Sequence, residues 1–292
     1  MMRSVKPDNT FSQAILKALA ALFVLNAFFA SCRQAPEKTE KQYLFVAHTR
    51  TLDTLRQNLD ARLEKMDFSP YDLLLLGGDL TEETSKKRST MEYVDGIFNL
   101  SSPNTHWALG NHDNADTALV QEFTKKPITY TFTRDGITWV VLYTQEKADW
   151  ICTITGEQLA MLQAVTDTIS QSSHLIVMSH KPVWLRDHPD LKAYTGDNRW
   201  NWACNFMVSK TNWPEDVLPR LRAVQERGVQ VICLAGDFGN NQQTFEEKTP
   251  DGIQYLGCGI PVFDEKRSLG RMLLFHHKPK ERVLSWEFLP IP

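Results

Sequence analysis

From residue 43 onward, short apolar runs alternate with longer amphipathic stretches, which restricts the chain to folds where strands buried on both faces lie under a cover of helices. The runs are 43–47, 73–76, 106–109, 138–143, 175–178 and 229–234, each too short for a stable helix. Helical spacing predicts helices over 52–66, 85–100, 156–169 and 215–227. After residue 239 the pattern changes. Segments 244–247 and 253–258 flank Pro250-Asp251-Gly252, and segments 272–276 and 283–288 flank a polar turn, so both pairs read as antiparallel hairpins. His276 and His277 fall in the last hairpin and read as exposed strand. The simplest architecture for this order is α/β, as a mixed sheet or a two-sheet sandwich flanked by helices.

Five of the apolar runs end directly in a polar cluster. Ala47 leads into His48-Thr49-Arg50, Leu76 into Gly77-Gly78-Asp79, and Leu109 into Gly110-Asn111-His112-Asp113; Met178 leads into Ser179-His180-Lys181-Pro182, and Leu234 into Ala235-Gly236-Asp237. In sheets of this kind, residues just past the carboxyl ends of the strands meet in one crevice where ligands bind. The glycines permit sharp turns at those tips. The carboxylates, amide oxygen and imidazoles brought there are ligand types for zinc, manganese or iron.

Gly78-Asp79, Gly110-Asn111-His112-Asp113 and His180 resemble three of the five ordered blocks of the calcineurin-like metallophosphoesterases: Asp-x-His, Gly-Asp, Gly-Asn-His-Asp/Glu, a lone His, and Gly-His-x-His. The resemblance covers roughly residues 43 to 290, and it implies a two-sheet α/β sandwich with a metal site at the strand carboxyl ends. The first and last blocks depart from the family. Val46-Ala47-His48 keeps the imidazole and lacks the carboxylate, and Gly236-Asp237-Phe238-Gly239 has Asp237 where the first histidine of the last block would stand. By the resemblance, one cation keeps only His48 and Asp79, whereas the other keeps Asp79, Asn111 and His180, with Asp237 as a substitute carboxylate. The cofactor expected is divalent zinc, manganese or iron, as one or two ions, with the departures favouring one.

The resemblance also implies a reaction: a divalent cation activates water for in-line attack on phosphorus, and the motif histidine acts as general acid. Here that histidine is His112, and Glu82 or Asp113 is expected to orient its ring. Arg50 is expected to put a guanidinium where the missing cation would have held a phosphate oxygen, with Asp53 as the alternative, a replacement carboxylate. The function implied is hydrolysis of a small phosphomonoester or phosphodiester. The alternative is a protein that keeps the fold and a metal or ligand site without turnover. The long segment 184–213 carries Trp184, Tyr194, Trp200, Trp202, Phe206 and Trp213 directly after His180. It reads either as a cover over the site, with Trp200 and Trp202 stacking on substrate, or as a packed excursion with a small core of its own.

Residues 1–32 read as a signal peptide: Arg3, Lys6 and Lys17 precede an apolar run over 18–30, and Phe29-Ala30-Ser31-Cys32 is similar to the lipobox of bacterial lipoproteins. Lipidation at Cys32 would anchor the chain to a membrane, facing the periplasm or the cell surface; the alternative is a cleaved signal with a chance cysteine. Residues 33–42 read as a tether, leaving 43–292 as the folded domain. Cys233 and Cys258 sit in strand-like runs and read as buried thiols, while Cys152 and Cys204 are the disulfide candidates. A net charge of -3 with mixed signs gives no field for a nucleic acid partner.

Overall fold

The computed structural model describes residues 39–52, 57–145, 153–187, 211–238 and 243–292. Cys32, Asp53, Cys152, Tyr194, Trp200, Trp202, Cys204, Phe206 and Gly239 lie outside the described residues. Eleven strands among the described residues form two mixed sheets. The first contains β1 (Lys41–Val46), β2 (Leu73–Leu76), β3 (Thr105–Trp107), β10 (Arg271–Lys278) and β11 (Val283–Pro290), in the order β11-β10-β1-β2-β3. The second contains β4 (Tyr130–Arg134), β5 (Ile137–Val141), β6 (His174–Ser179), β7 (Gln230–Ala235), β8 (Thr244–Lys248) and β9 (Gln254–Cys258), in the order β4-β5-β6-β7-β9-β8. Strands β1, β2 and β3 run parallel, as do β5, β6, β7 and β9; the hairpins β4–β5, β8–β9 and β10–β11 are antiparallel.

The two-residue period of a strand explains the layering. In β2, Leu73 and Leu75 face a core shared with Tyr43 and Phe45 of β1 and with Trp139, Ile176, Met178, Ile232 and Leu234 of the second sheet. Leu74 and Leu76 point the other way, with Leu44 and Val46, onto helix α1 (Arg88–Phe98) through Met91, Val94 and Phe98. The second sheet repeats the scheme: Leu175, Val177, Val231 and Cys233 meet Leu162 of α3 (Gly156–Thr168) and Leu221 and Val224 of α4 (Leu218–Glu226). Both faces of the central strands β1, β2, β6 and β7 are therefore largely dry, whereas the edge strands β4, β8 and β11 keep one face open, and each fully buried leucine contributes roughly 1.5–3 kcal/mol. Cys233 and Cys258 are buried free thiols, as their surroundings in the sequence suggest.

Three expectations need correction. Among the described residues of 52–66, the chain forms only a 3-10 turn at Leu63–Lys65. Its backbone groups bond outward instead of along a helix: Thr51 N–H donates to Asn58 O and Asp60 N–H to Thr49 O, and Arg50 bridges to Leu59. A short helix α2 (Thr117–Thr124), capped by the Asp116 carboxylate on Leu119 N–H at 2.9 Å, and the strand β4 add elements that hydrophobic spacing does not separate. His277 is fully buried and not exposed. It lies where the sheets meet opposite the ends that carry the polar clusters: the Tyr43 hydroxyl donates to Asp135 Oδ2 at 2.9 Å, so its oxygen accepts from His277 Nδ1 at 3.0 Å.

Burial holds His174 near about 4 and His106 near about 3, below the ordinary value, so both rings are neutral in the folded protein. The unfolded chain binds protons at these rings once pH falls below about 6.5, and stability is lost as pH drops from there toward 4. We expect urea titrations to show a slope of up to about 1.4 kcal/mol per pH unit for each ring in that window. His174→Gln should remove one ring's share; an unchanged slope in that variant would rule out the assignment.

Candidate metal centre

Each parallel strand of the central pairs delivers one functional side chain just past its carboxyl end. His48 follows β1, Asp79 follows β2, the Gly110–Asp113 turn follows β3, His180 follows β6 and Asp237 follows β7. The turns that aim them are unusual backbone. His48 (φ 51°), Gly78 (φ 91°) and Asp79 (φ 55°) are all in the left-handed region, which His and Asp tolerate better than branched residues do. The turns are also close-packed. A Cβ on Gly110 would fall 2.1 Å from Asp79 Oδ1, and one on Gly236 would fall 2.0 Å from Gly77 O.

Asp79 is the centre of the constellation, at 1% exposure. His180 Nε2 lies 3.4 Å from its Oδ1, while His48 Nε2 and His112 Nε2 each lie 3.9 Å from its Oδ2. Asp237 Oδ1 is 3.8 Å from His180 Nε2. One ligating atom each from His48, Asp79 and Asp237 falls within 4.8 Å of the others. The first sheet thus supplies two of these groups, His48 and Asp79, and the second sheet supplies His180 and Asp237.

The three imidazoles are oriented in the same way. His48 Nδ1 bonds Ile260 O at 2.8 Å, His112 Nδ1 bonds Glu82 O at 2.9 Å and His180 Nδ1 bonds Gly77 O at 2.7 Å. A carbonyl only accepts, so Nδ1 carries the hydrogen in each ring and Nε2 is turned toward Asp79. This is the outer-partner arrangement that fixes the tautomer of metal-ligating histidines. His180 Nε2 is buried with no hydrogen-bond partner, an arrangement that costs stability unless something fills it. Two imidazole nitrogens and two carboxylates around an orphaned, fully buried Nε2 form a donor set that fits a divalent transition ion.

The electrostatics agree with that fit. Burial, reinforced by the Arg50 charge, lowers His48 to about 4, so its ring is neutral and its Nε2 carries a lone pair at physiological pH. Burial also disfavours charge on His180, but Asp79 and Asp237 outweigh it and raise that ring to about 9. Burial raises the Asp79 carboxyl, and the imidazoles of His180, His112 and His48 outweigh it to hold the group well below the usual carboxylate range. A cation binding here exchanges with the His180 proton.

The remaining sequence-predicted residues take distinct places. Asn111 is half-buried in the turn after β3, and its amide makes no hydrogen bond among the described residues. His112 is partly open at 21% side-chain exposure, and its N–H donates to Asp79 Oδ1 at 3.1 Å. The partners of its ring match expectation only in part. The main-chain carbonyl of Glu82 holds Nδ1, while the Glu82 carboxylate has Oε1 3.6 Å from that nitrogen and Oε2 paired with Arg50 Nη1. Asp113 does not reach the ring. Its carboxylate accepts from the N–H groups of Asp79 (2.6 Å), Leu80 (3.0 Å) and Gly110 (2.8 Å) and from the Thr84 hydroxyl (2.5 Å), and so shapes the turns that present Asp79 and His112.

Trp184 and Trp213 are buried against Tyr255 in the core under α3 and α4, so the two ends of segment 184–213 are structural. The carbonyls of Gly77, Glu82 and Ile260 are not foreseeable as site components, because a main-chain oxygen carries no residue signature. A calcineurin-like phosphoesterase family model matches residues 47–206, just over half of the chain, and includes His48, Asp79, Asn111, His112 and His180 but not Asp237. No curated protein matches the chain.

Proposed function

Because the chain belongs to the calcineurin-like phosphoesterase family, we propose that it hydrolyses a small phosphate monoester or diester with one divalent ion held by His48, Asp79, His180 and Asp237. The observation that carries this reading is the convergence of three Nδ1-anchored imidazoles and the Asp237 carboxylate around the buried Asp79. A divalent cation bound there supplies Lewis acidity, which polarises a phosphoryl oxygen and lowers the pKa of water.

The side chains divide the remaining work. His112, the most open of the three rings, has its Nδ1–H fixed on Glu82 O, so in the doubly protonated ring Nε2–H is the proton that passes to the departing oxygen, leaving the neutral Nδ1–H tautomer. The Asn111 amide, free of internal partners among the described residues, is a further oxygen donor at the same turn. Val46 favours a second reading, binding without turnover: it stands where the family has a carboxylate and is buried in the apolar layer under α1.

Stripping the protein with chelator and reconstituting it with Mn²⁺ or Zn²⁺ separates the two readings. Hydrolysis of aryl phosphate mono- or diesters should vanish on stripping and return with metal. Tight metal uptake with no hydrolysis of either ester would establish the binding-only reading, and absence of metal uptake would remove both. The reading also places the protein outside the cytoplasm, anchored through a lipid on Cys32, in keeping with the lipobox-like Phe29-Ala30-Ser31-Cys32. Cys32→Ala should release it from the membrane fraction.

A further inference from the structure

Arg50 is drawn into the site more tightly than a surface arginine would be. Its side chain is only 11% exposed, its N–H donates to Asp79 O at 3.1 Å, and Nη1 is paired with the Glu82 carboxylate. Nε lies 3.4 Å from Asp79 Oδ2 and makes no hydrogen bond although it is buried. Nη2 makes no hydrogen bond among the described residues. Nη2 lies on the same side of the guanidinium as the Nε hydrogen, so these two donors form one edge of the fork, and that edge faces the Asp79 carboxylate. A nearly buried donor edge that is ion-paired to Asp79 but closes no hydrogen bond is costly to keep unless a ligand completes it. Parallel N–H donors of this kind match two oxygens of a phosphate group.

We propose that Arg50 is the second positive centre of this site: its Nε/Nη2 edge binds the phosphoryl oxygens of the substrate beside a single cation at Asp79. The inference rests on the phosphate-ester reading above and adds to it the residue that recognises the phosphate. The geometry also accounts for single-ion stoichiometry. A second cation at Asp79 Oδ2 would have to displace a guanidinium that is already paired with Glu82 and tied to Asp79 through its main chain. Glu82 is therefore a positioning residue for the arginine, and it prevents the guanidinium from collapsing onto Asp79.

The test measures Mn²⁺ equivalents per chain, and inorganic phosphate affinity of the Mn²⁺-loaded protein, for wild type, Arg50→Gln and Arg50→Lys. Wild type should take one equivalent, and Arg50→Gln should keep it while losing at least about tenfold in phosphate affinity. Arg50→Lys retains the charge without the fork and should fall in between. Phosphate binding at the wild-type level in either variant overturns the proposal, as does a wild type that takes up two equivalents. Should the glutamine variant fail to fold, which its thermal melt will reveal, the lysine variant alone decides. A wild type that binds neither Mn²⁺ nor phosphate defeats the phosphoesterase reading itself, a different result from wild-type binding that Arg50 substitutions leave untouched.

Discussion

Asp79→Asn should reduce metal affinity by more than about a hundredfold and take esterase activity to background, while the protein remains folded. Removing an outer partner of a metal ligand typically costs about 10–100-fold, and Asp79 is more central than that. Every Nε2 of the site is aimed at its carboxylate, with His180 at 3.4 Å and His48 and His112 at 3.9 Å. Asparagine is the informative replacement because it tolerates the left-handed backbone at φ 55° and can still accept the His112 N–H. Alanine would add conformational strain and confuse loss of ligation with loss of structure. Metal titration by calorimetry, with circular dichroism as the check on folding, measures the effect. Wild-type metal affinity in the folded variant would mean that the ion, if any, binds elsewhere.

Gly236→Ala should destabilise the protein by about 3 kcal/mol or prevent folding, through overpacking at a place with no flexible neighbour. The new Cβ would lie 2.0 Å from Gly77 O and 2.6 Å from the Gly77 carbonyl carbon, all rigid main chain. Relief requires the tips of β2 and β7 to separate. That movement would pull Gly77 O from His180 Nδ1, and it would disturb the His180 carbonyl, which accepts from both Gly236 N–H and Asp237 N–H. The loss should therefore appear both as a lower melting temperature and as weakened metal binding. Gly96 is the control: it sits exposed within α1, and a methyl added there would meet nothing within 4 Å among the described residues, so Gly96→Ala should instead stabilise by roughly 0.5–1 kcal/mol. Equal tolerance of both substitutions would refute the close-contact account.

The sheets and the site are legible in the sequence to different degrees, for physical reasons. Leucines 73–76 and the run at 175–178 could hardly be anything except strands buried on both faces, and glycine-flanked polar residues at their ends mark where a crevice forms. Residues 52–66 mislead because apolar spacing records only which residues want burial, and here the backbone of 58–60 is used by Thr49, Arg50 and Thr51. His48 is legible as an imidazole in the right place, but its partner is not: Ile260 is 212 positions away, and its side chain has no part in the bond. His277 looks solvated because its hairpin is bounded by polar residues, although the inner face of β10 packs on the second sheet. Adjacency in sequence suggests Asp113 as a partner of the His112 ring, whereas its carboxylate turns inward to three amides.

Since His48 and Asp79 extend from one sheet and His180 and Asp237 from the other, an ion among them would act as a rivet as well as a reagent. Its grip adds RT ln(1 + [M]/Kd) to the work of prying the halves apart, about 2.7 kcal/mol when free metal stands at about a hundred times Kd. Metal scarcity would then be felt twice, once as idle chemistry and once as a looser molecule more open to proteases, and heat resistance would become a gauge of how fully a population of molecules is charged.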